Sequence, residues 1–278
     1  MSLQSVCVKD KIVGANIPVY NLEVLPERIQ RHCVPLFFWR NSDQEPRTFG
    51  ASASLIRIGP KGLFITCEHV WKRFESFKQE YADAVLGAFL GAGFGLYALT
   101  GIALLDRSES LDVAVLHFPE IAWMEDFEDK LFYTVSSLPI AAPNCGEHAI
   151  ILGYPEEGDA RSFDGKTLTM GYTFGLVTVS SVSEHGFGMA PERRWINVTN
   201  GKSEDAGDAD VSSGMSGGPC FVIRETRLDF VGVVRAGRSS GPIFAAAAWH
   251  LDVDGKLQHS RIPPRQKFYP DYSVDASP

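Results

Sequence analysis

The chain of 278 residues carries 26 Lys and Arg against 34 Asp and Glu, a formal net charge of −8, with 45% hydrophobic and 22% charged residues. That balance supplies a sizeable core and excludes a disordered, collagenous or coiled-coil chain. It also lacks the basic footprint of sequence-independent nucleic-acid binding and the polybasic clusters that hold proteins on anionic membranes.

Residues 1–30 show weak periodicity and read as an N-terminal arm, with no basic start and apolar run of a secretory signal. From Val34 the pattern changes to short β-rich runs broken by Gly, Pro and Asp. They are PLFFW (35–39), ASLIRI (53–58), LFIT (63–66), VAVLHF (113–118), AIILGY (149–154), GLVTVSSV (175–182), RWINVT (194–199), CFVI (220–223) and DFVGVV (229–234). Runs of this length at fairly regular spacing predict an all-β sandwich or barrel. One segment, Glu68 to Asp83, predicts a helix, because Val70, Phe74, Phe77 and Tyr81 recur at helical spacing among charges. The uncharged stretch Ala84 to Leu105 is long enough to span a bilayer. Gly87, Gly91, Gly93, Gly95 and Gly101 within it favour buried strands with turns instead. Tyr133 to Cys145 reads as a link between two halves, and 200–210 (NGKSEDAGDAD) as a loop. After Asp252 the chain is polar and Pro-rich, an extended strap or disordered end.

Five cysteines, Cys7, Cys33, Cys67, Cys145 and Cys220, are widely spaced with no CxxC. That pattern argues against a disulfide scaffold or zinc ribbon and for a reducing, cytoplasmic setting. The seven His form no HExxH or HxH pattern, so no metal is expected. The glycines at 91–95 do not open a helix after a clear strand, so no dinucleotide cofactor is expected.

Three segments carry chemistry. GLFITCEHV (62–70) is an apolar strand delivering His69 at its end. SLDVAVL (110–116) places Asp112 just ahead of a strand. GMSGGP (214–219) sets Ser216 in a Gly-rich turn leading into a strand. Singly, each has a structural explanation as a surface His, a turn Asp or a tight turn. Together they supply a base, an orienting acid and a nucleophile. A Ser hydroxyl needs a base within hydrogen-bond reach to take its proton. Imidazole suits that task near neutral pH. A carboxylate on its other nitrogen fixes the tautomer and stabilises the imidazolium. Glycines around the Ser let backbone N–H groups converge on a developing oxyanion.

The order His, Asp, Ser with the strings ITCEHV, LDVAVL and GMSGGP resembles the chymotrypsin-fold serine peptidases. DRSESLDVAVL (106–116), GEHAIILGYP (146–155) and DADVSSGMSGGP (208–219) are similar to the bacterial Deg/Htr-type trypsin-like domains, over about residues 48–250 and with no PDZ-like module following. The resemblance implies two six-stranded Greek-key β-barrels with the active site between them. An N-terminal barrel over 31–140 would carry His and Asp, a C-terminal barrel over 141–252 would carry Ser, and a tail would occupy 253–278. It implies His69 as base, Asp112 as orienting acid, Ser216 as nucleophile, and the N–H groups of Gly214 and Ser216 as oxyanion hole. Arg235, Ala236 and Gly237 would pair with the substrate backbone as an added strand. Asp210, at the offset of the carboxylate that floors the pocket of trypsin-like relatives, would favour cleavage after Arg or Lys.

Four positions depart from the family or invite comment. Met215 stands where zymogen-type relatives have an acidic residue that pairs with a newly cut N-terminus, so that activation route is not expected. Cys67 replaces a small residue and reads as packing filler. Arg235 is unusual and either pairs with an acidic neighbour or obstructs the cleft. Glu68 is expected to face solvent. The function implied is a serine endopeptidase acting on protein or peptide substrates, with a regulatory protein partner possible through the arm, the segment 76–105 or the tail. The alternatives are a restrained barrel used as a binding module and a small-ester hydrolase.

Overall fold

The computed structural model describes residues 25–40, 50–90, 96–118, 130–155, 161–163, 168–191, 195–199, 202–205, 214–224, 227–237 and 242–259. Its first half contains α1 (Leu25–Gln30), β1 (Cys33–Arg40), β2 (Ala51–Ile58), β3 (Lys61–Thr66), α2 (Glu68–Glu80), β4 (Ala84–Phe89), β5 (Leu96–Ala98), β6 (Ala103–Ser108), β7 (Val113–His117) and β8 (Tyr133–Thr134). The second half contains β9 (His148–Gly153), β10 (Arg161–Phe163), β11 (Leu168–Met170), β12 (Tyr172–Val182), β13 (Gly186–Pro191), β14 (Ile196–Thr199), β15 (Lys202–Asp205), β16 (Pro219–Arg224), β17 (Arg227–Gly237) and β18 (Ile243–Ala247). The predicted runs all fall on strands, and the predicted helix is α2.

The architecture is all-β with two curled sheets, the two-barrel fold expected. In the second, β13-β18-β17-β16-β9-β12 run in order and β12 pairs again with β13, closing a six-stranded barrel. The first is ordered β5-β4-β1-β2-β3-β7-β6, with β8 parallel to β2, and curls without closing. Pro35, which has no N–H to give, sits where β1 pairs with β2 alone, because pairing with β4 begins at Leu36.

Helix α2 covers the apolar face that the open sheet leaves. Val70, Trp71, Phe74 and Phe77 on its inner side join Phe38, Leu86, Leu99 and Leu116 in one buried cluster. An Arg107–Glu75 ion pair of 2.6 Å ties β6 to the helix. A second cluster belongs to both sheets. It joins Ile56, Leu63, Ile65 and Val113 from the first to Ile150, Leu152, Phe221 and Val233 from the second. Burial of these side chains at the seam holds the halves together, each contributing roughly 1.5–3 kcal/mol against exposure. A third cluster, including Ile151, Val177, Met215 and Trp249, fills the closed barrel.

Several segments differ from the sequence expectation. Within the predicted arm, α1 buries Leu25 and Ile29 in the shared cluster. Residues 202–205, expected in a loop, form β15 against β14. All four side chains of β15 are exposed, so no apolar alternation marks it. The uncharged stretch 84–105 agrees with its expectation of strands, forming β4, β5 and the start of β6, with 91–95 outside the described residues. Among the described residues no helix is long and apolar enough to cross a membrane. Residues 253–259 fold back on the first sheet, and the rest of the expected tail lies outside the described residues. The Leu257 N–H donates to Asp106 Oδ2 at 2.8 Å, and Leu257 is buried.

Candidate active site

The end of β3 runs directly into α2, so His69 occupies the first turn of the helix. Cys67 is its N-cap residue and makes no side-chain cap bond. The first N–H groups of a helix need outside acceptors, and Asp112 supplies one. Its carboxylate accepts the His69 backbone N–H at 3.0 Å. It also accepts His69 Nδ1–H, at 2.9 Å from Oδ2 and 3.1 Å from Oδ1. Donation from Nδ1 leaves the lone pair on Nε2, the tautomer a general base requires. Asp112 ends the tight β6–β7 turn in the left-handed region, with φ of 54°. A short polar side chain tolerates that conformation better than most, and here it aims the carboxylate at the start of the helix.

Ser216 lies on the turn before β16, and this turn is stitched to both sheets. The Ser52 N–H donates to the Ser216 carbonyl at 2.9 Å, and the Gly217 N–H to Val234 O at 2.8 Å. Ser52 Oγ donates to Gly214 O at 2.8 Å, Ser54 Oγ to Gly217 O at 2.9 Å, and Thr66 Oγ1 to Ser52 O at 2.8 Å. Gly214 has φ of 88° and Gly217 φ of 92°. A Cβ on Gly217 would run into the Ser52 carbonyl. Both positions therefore require glycine, one for its dihedral and one for dihedral and contact alike.

The structure brings His69 and Asp112 into direct contact and joins Ser216 to them through Arg235. Ser216 Oγ donates to the Arg235 carbonyl at 3.3 Å. The Arg235 side chain is 40% exposed and places Nε 3.7 Å from Asp112 Oδ2. Of the two readings of Arg235, pairing with an acidic neighbour is the one the geometry displays. Ala236 and Gly237 continue β17 beside Arg235, paired with Phe244 and Ile243 of β18. Asp210 lies outside the described residues.

The residues around this core behave as packing. Cys67 is fully buried, and its Sγ donates to Val234 O at 3.1 Å, joining the first sheet to β17. Burial pushes the Cys67 thiol well above its ordinary range, so it is no thiolate nucleophile. Met215 is buried in the cluster of the closed barrel, against Gly153. Glu68, expected to face solvent, is buried and pairs with Lys72 one turn on at 3.4 Å, because the inner side of the helix start packs under the sheet. Cys67, His69 and Asp112 are the group of metal-ligating side chains that stands close together among the described residues. Each already has a hydrogen-bond partner, so the cluster is accounted for without an ion. Ser52 and Ser54 escaped the sequence reading. Two small polar residues alternating with alanines in ASAS are a faint signal, and only their partners reveal their use.

Residues 53–233 match the family described as trypsin-like peptidase domain. No curated protein matches the chain. Among solved structures, human heparin binding protein is 13% identical with a TM-score of 0.46, over 81% of this chain and 88% of that one. The thermostable serine protease AL20 from an extremophilic microorganism is 15% identical with a TM-score of 0.47, over 80% and 93%. Protease Anisep from Arthrobacter nicotinovorans is 14% identical with a TM-score of 0.46, over 78% and 90%.

Proposed function

Because the chain belongs to the trypsin-like peptidase domain family, a family of serine-type peptidases acting on proteins or peptides, we propose that it cleaves them with His69, Asp112 and Ser216 through an acyl-enzyme. The observation that carries this reading is the double hydrogen bond of the Asp112 carboxylate to His69, backbone and ring.

In this mechanism the Ser216 hydroxyl turns from the Arg235 carbonyl to His69 Nε2. It gives up its proton there as Oγ attacks the substrate carbonyl. The oxyanion is received by the N–H groups of Gly214 and Ser216, each worth roughly 3 kcal/mol in the transition state. His69, now imidazolium and held by Asp112, returns the proton to the leaving amine. Water then repeats the sequence and releases the acid. Met215, apolar and buried in place of an acidic residue, supports a site that needs no cut N-terminus to form. Cleavage after Arg or Lys is part of the proposal and rests on Asp210, six positions before Ser216. A cytoplasmic setting is supported by the free thiols of Cys33, Cys67, Cys145 and Cys220.

A fluorophosphonate probe labels the wild-type protein, and Ser216→Ala abolishes both labelling and peptide hydrolysis while the melting temperature holds. Folded wild type that takes no label overturns the mechanism in favour of a binding module. Labelled protein that hydrolyses esters but no peptide points to a small-ester hydrolase. A peptide-library digest with cuts at non-basic residues removes the role given to Asp210.

A further inference from the structure

We propose that Ser52, on β2 of the first sheet, is a positioning residue that sets the oxyanion hole carried by the second barrel. The inference rests on the mechanism above. Ser52 bonds to both residues whose N–H groups are assigned to the oxyanion. Its Oγ donates to the Gly214 carbonyl at 2.8 Å, and its backbone N–H donates to the Ser216 carbonyl at 2.9 Å. The same hydroxyl accepts the Tyr154 N–H at 2.9 Å, so it is fixed from the far side as well. Ser52 is fully buried, and neither bond is shared with solvent.

The reason such a hold is needed lies in Gly214. With φ of 88° and no Cβ, this residue is free to rotate its peptide groups, and each alternative would aim the donors elsewhere. Donors contribute to catalysis only when they already point at the place where charge will develop. The Met215 thioether beside Gly214 forms no ion pair or strong hydrogen bond that could hold the turn instead. A buried hydroxyl bonded to the Gly214 carbonyl fixes the peptide that follows the Gly214 N–H, and the bond to the Ser216 carbonyl fixes the one that follows the Ser216 N–H, so each donor peptide is hinged on a neighbour that cannot turn. Ser54 is the internal comparison. It sits two residues along the same strand, equally buried, and donates to Gly217 O at 2.9 Å, beyond the proposed donors.

The test compares Ser52→Ala, Ser52→Thr and Ser54→Ala on the full chain, with p-nitrophenyl acetate as substrate and phenylboronic acid as tetrahedral-adduct inhibitor. Ser52→Ala lowers kcat roughly ten- to hundredfold with KM within about twofold, and phenylboronic acid weakens in parallel. Ser52→Thr restores most of the rate, and Ser54→Ala loses less than about threefold. Wild-type kcat in Ser52→Ala overturns the proposal. So does an equal loss in Ser54→Ala at an equal shift in melting temperature, which is general loosening. Should Ser52→Ala fail to fold, Ser52→Cys, a weaker donor of similar shape, is read against the same limits. Failure of the wild type to take a fluorophosphonate label is failure of the peptidase mechanism. A labelled wild type with an unaffected Ser52→Ala is failure of the present proposal alone.

Discussion

The two sheets solve the same problem differently. The second barrel closes on itself through β12 and β13, so hydrogen bonds leave it no open seam. The first stays open and buries its inner face under α2. The same helix presents His69 in its first turn. In the first half the element that completes the core is therefore also the element that carries His69, the proposed base. In the second half the proposed nucleophile, Ser216, sits on the turn before β16, next to Met215, which packs against Gly153 of β9. Placement of the proposed base should fail together with first-sheet packing, whereas the Ser216 turn should tolerate damage to those parts of its barrel that lie away from β9.

The strongest test of that coupling is Asp112→Asn. The side chain keeps its size and can still accept the His69 backbone N–H, but the ring loses its charged partner and its tautomer. Peptide or ester turnover should fall about a thousandfold or more, with a melting temperature within a few degrees of wild type. A variant that unfolds instead would show that the carboxylate is chiefly a helix cap.

Next in size is a matched pair of core truncations. Phe74→Ala on α2 should cost about 3 kcal/mol of stability and lower the ester rate well below the melting temperature, because the helix start that carries His69 loosens with it. Phe187→Ala, on β13 of the closed barrel rather than on the strand that packs against Met215, should cost a similar amount and leave that rate near wild type. Equal rate losses in the two variants would break the distinction between the halves.

The smallest effect concerns the edge of the closed barrel. Glu147 accepts two bonds from Arg224, both 3.0 Å, and one from the Asn144 N–H at 2.7 Å. Partial burial works to raise its carboxyl, and the Arg224 and Asn144 bonds outweigh it, so its titration lies below the ordinary carboxylate range. A depressed folded-state value stabilises above the unfolded titration point and is lost as pH falls through the folded one. Glu147→Gln should lower stability by about 1 kcal/mol near neutral pH. In urea melts across pH the difference should shrink below about pH 4. A difference that persists at pH 2 would assign the effect to packing.

His69, Asp112 and Ser216 stood out as candidates because each sits in a short string whose neighbours set its local conformation. The strand ends before the His, the turn precedes the Asp, and the glycines flank the Ser. The strands with apolar runs, such as β3 and β9, were readable for the same reason. β15 was not, because Lys202 to Asp205 present no apolar face and pair only through their backbone. Glu68 was misread because its helix was visible and the sheet lying over that helix was not. Ser52 and Lys130 belong to the same class. Lys130 is buried and donates to Gln30 O at 3.0 Å, Cys33 O at 2.9 Å and Tyr154 Oη at 2.8 Å, partners from distant parts of the chain.

By itself the sequence determined where an imidazole, a carboxylate and a hydroxyl stand in strings that suit a base, an acid and a nucleophile, and which apolar segments form strands, since residue type and short-range patterning are local properties. Tertiary structure alone decided that one sheet closes by hydrogen bonds and the other by a helix, that Arg235 lies beside Asp112, and that a serine on the first sheet grips the turn of the second. The Ser52–Gly214 bond alone joins positions 162 residues apart, and these contacts depend on how two curved sheets meet, which no local pattern encodes.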